Sequence, residues 1–196
     1  VLIALSTSVL FIAVLLTVSG TYPSFLTSLR HAAFNVVSVA TTTGLVSQNY
    51  DLWPVFAPLW MLFLSSIVCS TGSTGGGIKM FRTLMLMRQA AREMKLLVHP
   101  SAMIPVRIGG VVIPDRIAYS VLAFIFLYFQ AIMALTFLLL LSGMEMVPAL
   151  SSVVASINNM GPGIGPTGPA GNYQGLTDFQ TWICTIAMLL GRLEIF

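Results

Sequence analysis

Apolar runs of unequal length recur along this chain. Residues 1–18, 53–68, 117–141 and 179–196 are apolar enough to read as membrane spans. A short amphipathic stretch at helical spacing lies inside each pair, residues 25–40 in the first half and 148–157 in the second. At 1.5 Å per residue the longer of these covers ~24 Å, short of a ~30 Å hydrocarbon core. Both are expected to dip into the bilayer and return. Turns with glycine or proline at 19–24 and 142–147, and a Gly/Pro-rich loop at 164–177, close the outer side.

Each short stretch runs into a polar, glycine-bearing strip. The first is Ala40-Thr41-Thr42-Thr43-Gly44-Leu45 and the second Asn158-Asn159-Met160-Gly161-Pro162-Gly163. Placing Gly44 on Gly161, an offset of 117 residues, also places Val36-Val37 on Val153-Val154. One outward and one inward span bracket each strip, so both units run the same way across the membrane.

The span 53–68 meets Cys69-Ser70-Thr71-Gly72-Ser73-Thr74-Gly75-Gly76-Gly77 ~22 Å below its outer end, still inside the membrane. Trp53 and Trp60 suit an interfacial belt at that outer end. Residues 78–97 resume as a basic amphipathic helix leaving the bilayer. Residues 99–114, with Pro100, Pro105, Gly109 and Gly110, read as a cytoplasmic linker.

Composition excludes a soluble domain. The chain is 57% hydrophobic and 8% charged, with mean hydropathy +0.93, where soluble domains carry about 25% charged residues. Its 196 residues suit about four spans with re-entrant pieces. It begins without Met inside one apolar run and ends inside another, and so reads as a fragment cut at both ends. Cys69 and Cys184 lie in apolar segments and suggest no disulfide framework. Lys79, Arg82, Arg88, Arg92, Lys95, Arg107 and Arg116 cluster between residues 78 and 116, against only Glu93 and Asp115. The positive-inside rule makes that segment cytoplasmic; an RNA- or lipid-binding arm is the alternative. Asp51, Glu145 and Asp178 then face outward.

Non-helical backbone survives at membrane depth only where it is buried in protein or lines water. Carbonyls facing an axis can replace the hydration shell of a cation. Gly44 and Gly161 allow the dihedrals that aim successive carbonyls one way. Both short helices would point their negative ends at the strips. No acidic residue lies in either strip, which favours a monovalent ion over calcium. The candidate filter is therefore Thr41, Thr42, Thr43, Gly44 and Leu45 with Asn158, Asn159, Met160 and Gly161. Plain helix-capping turns are the alternative.

The run Gly72-Ser73-Thr74-Gly75-Gly76-Gly77-Ile78-Lys79 resembles a phosphate-binding loop, but Ile78 precedes the lysine, Met80 follows it and no strand leads in. Residues 163–168 match GxGxxG only formally, because prolines interrupt them. The run reads instead as an intramembrane loop able to obstruct a path, with a kinked helix as the alternative. Arg192 lies ~20 Å down the last span, at similar depth. A charge there costs roughly 2.5–3.5 kcal/mol on insertion scales, so it should face a cavity or partner. Glu194 and the glycine loop are candidates, and snorkelling to the cytoplasmic interface is the alternative. Arg30 and His31 read as interfacial, and His99 has no metal-ligand companions.

Taken together, residues 34–44, 72–79, 97–100, 158–163 and 189–196 resemble the membrane subunits of the Trk/Ktr family of potassium uptake systems, in particular the bacterial TrkH branch. The resemblance implies an all-α integral membrane fold of span–pore-helix–filter–span repeats, four around one pore. This chain would hold the third (1–97) and fourth (115–196), joined by the linker 98–114. It also implies that Gly44 and Gly161 supply two filter quarters. Gly72, Ser73, Thr74, Gly75, Gly76, Gly77 and Lys79 would belong to a gating loop, with Arg192 beside it. Leu45 stands where the family often has Phe. The implied cargo is potassium, with no cofactor and no enzymatic activity. The implied partners are the missing first half, a second copy in a homodimer, a cytosolic nucleotide-binding regulatory subunit and the lipid of a bacterial cytoplasmic membrane, with no nucleic acid. A membrane-bound nucleotide-dependent enzyme using the glycine run, and a non-transporting truncated relic, are the competing readings.

Overall fold

The computed structural model describes every residue except 71, 74, 103 and 194–196. Its helices are α1 (Leu2–Val18), α2 (Phe25–Ala40), α3 (Phe56–Ile67), α4 (Met80–Val98), α5 (Asp115–Leu141), α6 (Met146–Ile157) and α7 (Asp178–Leu193). Among the described residues α5 alone is long and apolar enough to cross a membrane by length and composition. Val121, Ile125, Tyr128, Ile132, Leu135 and Leu139 recur at helical spacing on its buried side. Tyr119, Phe126, Phe129, Met133 and Phe137 point outward and are exposed. The helix α1 repeats this, with Ile12, Ala13 and Leu16 inside and Leu2, Ile3, Leu10, Phe11 and Val14 outside. Helices apolar on both faces suit a lipid environment.

The helix α2 packs on α1 and α3, while α6 packs on α5 and α7. Two apolar cores result, and they interlock. Ala155 and Met160 from the second half complete the core built by α1, α2 and α3. Ile78 and Met85 from the first half enter the core built by α5, α6 and α7. The chain therefore crosses over at α4, which packs on α5.

The structure departs from the all-α, linker-only reading at residues 99–114. Strands β1 (Arg107–Ile108) and β2 (Val111–Val112) form an antiparallel hairpin, pairing Arg107 with Val112. Gly109 (φ 58) and Gly110 (φ 85) both take left-handed conformations, which a two-residue I′ turn demands. The Gly-Gly pair between short apolar residues carried that signal.

Both tryptophans expected near the outer end of the span 53–68 have partners within the protein. Trp53 is 4% exposed and donates through Nε1 to the Tyr22 hydroxyl at 3.3 Å. Trp60 is half-buried and donates to Ser8 Oγ at 3.2 Å. Between α3 and α4 the described backbone is non-helical, so the glycine run is a loop and not a kink.

Candidate functional site

The helices α2 and α6 end in the same cap, 117 residues apart. Thr42 N–H donates to Val39 O (3.0 Å) and Thr43 N–H to Ser38 O (2.8 Å). Asn159 N–H donates to Ser156 O (3.0 Å) and Met160 N–H to Ala155 O (2.9 Å). This is the Schellman pattern, which requires a left-handed residue just past the helix. Here that residue is Thr42 (φ 55) or Asn159 (φ 52), and Gly44 (φ 76) or Gly161 (φ 101) follows two positions later. Each strip thus has two left-handed residues with one between them. A β-branched Thr in this region is a genuine outlier. Such strain, of order 1–3 kcal/mol, persists where its surroundings fix it, and it clusters at functional sites.

The far end of each strip is tied back to its own helix. Asn35 Oδ1 accepts from Ser47 N–H at 3.1 Å, and Ser151 Oγ accepts from Ile164 N–H at 3.0 Å. Asn35 is fully buried. Its Nδ2 donates to His31 O (2.9 Å) and Ser47 Oγ (3.0 Å). Ser152 Oγ and Thr167 Oγ1 lie 2.7 Å apart in the second half. Both strips are therefore held at entry by a cap and at exit by a buried polar side chain.

Among the described residues, no backbone N–H donates to the carbonyl oxygens of residues 41–45 or 158–161. Gly161 differs from the others, because its carbonyl accepts from the Tyr173 hydroxyl at 2.8 Å. Tyr50 similarly donates to Gly163 O at 3.4 Å. Burial raises the Tyr50 phenol well above its ordinary range and pushes Tyr173 up to about 12, so both stay protonated as donors. The two strips meet at Gly44, where a Cβ would overlap the Met160 carbonyl oxygen. The Met160 side chain itself is buried in the first core. Thr41, Thr43 and Leu45 line an open cavity of about 810 Å³ with Phe34, Val37 and Ser38.

The glycine loop lies under this pair. Ile78 N–H donates to Ser66 O (2.7 Å) and Met80 N–H to Cys69 O (2.9 Å), tying the loop's two ends together. A Cβ on Gly76 would overlap the Asn158 carbonyl, and one on Gly77 would come 2.6 Å from the Ser66 carbonyl oxygen. A Cβ on Gly75 would run into Cys69 Sγ. Three of the loop's glycines are thus close-approach positions, whereas Gly72 borders open space. Ser73 is exposed and bonds within the loop, its Oγ donating to Ser70 O at 2.9 Å. Lys79 is buried at 8% exposure and left-handed at φ 67. Thr74 and Glu194 lie outside the described residues. Arg192 sits exposed in the last turn of α7. Its neighbour Gly191 abuts the Ile157 carbonyl, one residue before the second strip.

Sequence reasoning left several supporting residues unassigned: Asn35, Ser47, Ser151, Ser152, Tyr128, Ser65 and Ser66. Their shared signal is a polar side chain inside an apolar helix or just beyond a strip. Asp51 joins the two outer loops, its Oδ2 accepting from Gly165 N–H at 3.1 Å. Burial raises its carboxyl pKa, against the lowering effect of that N–H. The folded state therefore favours the protonated carboxyl, and the ionised form weakens the fold above the raised pKa. In the full-length protein, Asp51→Asn is expected to melt above wild type at pH 8, with the gap closing towards pH 4. Melting curves that keep a constant separation over that range would refute the buried-carboxylate account.

The family model described as TrkH, cation transport protein, matches residues 2–196. The chain is 45% identical over 177 residues to the Trk system potassium uptake protein TrkH of Halomonas elongata, covering 87% of this chain and 35% of that protein. It is 37% identical over 190 residues to TrkH of Escherichia coli K12, covering 97% of this chain and 39% of that protein. The crystal structure of the potassium transporter TrkH from Vibrio parahaemolyticus superposes with a TM-score of 0.91 at 37% identity, over 98% of this chain and 41% of that one. The chain spans little more than a third of these relatives' length.

Proposed function

Because the chain belongs to the TrkH family of cation transport proteins, we propose that it forms part of the conduction path of a potassium uptake protein in a bacterial cytoplasmic membrane. The observation that carries this reading is the recurrence, 117 residues apart, of a capped short helix followed by a strip whose carbonyls take no backbone hydrogen bond among the described residues. Carbonyl oxygens of 41–45 and 158–160 would take over the hydration shell of a dehydrated cation. The seating of Gly76 against Asn158 supports residues 69–77 as an obstruction directly beneath the strips. The position of Gly191 against Ile157 supports Arg192 as a residue near that obstruction.

The two units, 1–97 and 115–196, would be two quarters of a four-part ring, with the rest supplied by the further length such relatives have. The exposed basic face of α4 and the hairpin would meet a cytosolic nucleotide-binding regulatory subunit, and the whole protein would pair as a homodimer. The family's members are named as transport proteins, and helix α3 rather than a strand leads into the glycine run. Both points favour transport over nucleotide-dependent catalysis, with potassium as cargo and no cofactor.

The test is rubidium and sodium flux through the full-length protein in vesicles. Gly161→Ser places a side chain at φ +101, where its Cβ meets nothing within 4 Å. Only backbone strain then acts, about 1–2 kcal/mol, and the rubidium-to-sodium ratio is expected to fall about tenfold. An unchanged ratio would count against the filter.

A further inference from the structure

The side-chain hydrogen bonds of a polar cluster buried between the two halves play no part in the reading above. Asn158 is fully buried. Its Oδ1 accepts from the Tyr128 hydroxyl at 2.8 Å, and its Nδ2 donates to Ser65 Oγ (2.9 Å) and Ser66 Oγ (3.0 Å). The Tyr128 hydroxyl also lies 3.2 Å from Ser66 Oγ, and Ser65 Oγ donates to Leu62 O at 2.6 Å. Both amide hydrogens and the amide oxygen of Asn158 are engaged. In apolar surroundings any one left open is costly.

Three elements meet here: α5 through Tyr128, the base of the second strip through Asn158, and the end of α3 through Ser65 and Ser66. The backbone of the same residues holds the glycine loop. Ser66 O accepts from Ile78 N–H at 2.7 Å, at the loop's downstream end. The Asn158 carbonyl faces Gly76 so closely that a Cβ there would overlap it. Ser66 thus grips the strip with its hydroxyl and the loop with its carbonyl. Asn158 grips α3 with its amide and faces the loop with its carbonyl.

We infer that this network is a mechanical link, which sets the geometry of the second strip and the seat of the glycine loop together. Tyr128, Ser65 and Ser66 are positioning residues in it and touch no ion. The inference rests on the filter-and-gate reading. A loop that leaves its seat releases Ile78 N–H from Ser66 O and frees the end of α3. That end is one hydrogen bond from the amide of Asn158, whose carbonyl opens the strip. Loosening the amide from the other side, at Tyr128, moves the same carbonyl and so the surface on which Gly76 rests.

The full-length protein in vesicles tests this. Tyr128→Phe keeps the ring, stacked on Phe124 at 6.4 Å and edge-on to Phe129 at 5.6 Å, and removes only the hydroxyl. Basal rubidium flux without any regulator is expected to rise several-fold, and the rubidium-to-sodium ratio to fall several-fold in the same variant. Ser66→Ala should do the same, the double variant should be no worse than the worse single one, and Ser66→Thr should restore both readings. A purely structural role would lower the yield of folded protein without moving the ratio per folded molecule. If Tyr128→Phe does not reach the membrane, Ser66→Ala with its Ser66→Thr rescue carries the same decision. Wild-type flux and ratio in these variants, in a preparation where Gly44→Ser does alter the ratio, would overturn the link and leave the filter standing. No effect of Gly44→Ser would instead remove the filter itself.

Discussion

Gly44→Ser in the full-length protein is expected to abolish most of the preference for rubidium over sodium, and to do so more severely than Gly161→Ser. Two penalties act at Gly44. Its φ of +76 strains any L side chain by about 1–2 kcal/mol. The new Cβ would also overlap the Met160 carbonyl oxygen, come 3.3 Å from the Met160 carbonyl carbon and 3.5 Å from Pro162 Cδ. Those are backbone and proline-ring atoms of a capped strip whose Met160 side chain is locked in a core, so they cannot give way freely. Overpacking adds typically about 1–3 kcal/mol. The two strips must therefore part, and both lose their carbonyl geometry at once. A total of about 3 kcal/mol corresponds to about a hundredfold loss in the flux ratio, against about tenfold at Gly161. A larger effect at Gly161, measured in parallel, would refute the account of where the strips touch.

Gly76→Ala is expected to raise basal flux several-fold when no regulator is present. The loop rests against Asn158, and the added Cβ would lie 2.7 Å from the Asn158 carbonyl carbon and 2.9 Å from its Cα, besides overlapping the oxygen. Contacts that short do not occur between real Cβ atoms and backbone, so one side must move. Asn158 is held by Tyr128, Ser65 and Ser66, whereas backbone hydrogen bonds tie the loop at its two ends. The loop is the side that yields. Removing residues 72–77 should shift flux in the same direction and further. Basal flux that stays at wild-type level or falls in both variants would mean that the loop does not obstruct the path.

Much of the layout was legible because helical periodicity and length carry it. The short helix expected over 25–40 runs Phe25–Ala40, and the run 1–18 folds as Leu2–Val18. Bounds drifted where capping, not hydropathy, decides them. The helix α6 begins at Met146, ahead of Pro148, which sits within its first turn where its missing N–H costs nothing. The helix α3 is only Phe56–Ile67, because Trp53, held extended ahead of Pro54, cannot begin it. The Trp53–Tyr22 hydrogen bond carries no sequence signal, because an apolar indole at the end of a run looks the same whatever its Nε1 meets. The strips were visible as glycine between polar residues. Their left-handed Thr42 and Asn159 were not, since neither residue type announces that conformation. The Tyr128–Asn158–Ser66 cluster joins residues up to 92 positions apart, a distance at which no local pattern speaks.

Met160 sits in the core of the first half and its carbonyl abuts Gly44. Chain elongation reaches Met160 more than a hundred residues after Gly44. At about 5–20 residues per second the interval is on the order of ten seconds. Through that time the first strip stands in the insertion machinery without the wall that later closes it, and the core beneath it lacks one side chain. A ribosome pausing near α4 would lengthen that exposure, so slow codons in the hairpin region should cost yield of assembled protein out of proportion to their number.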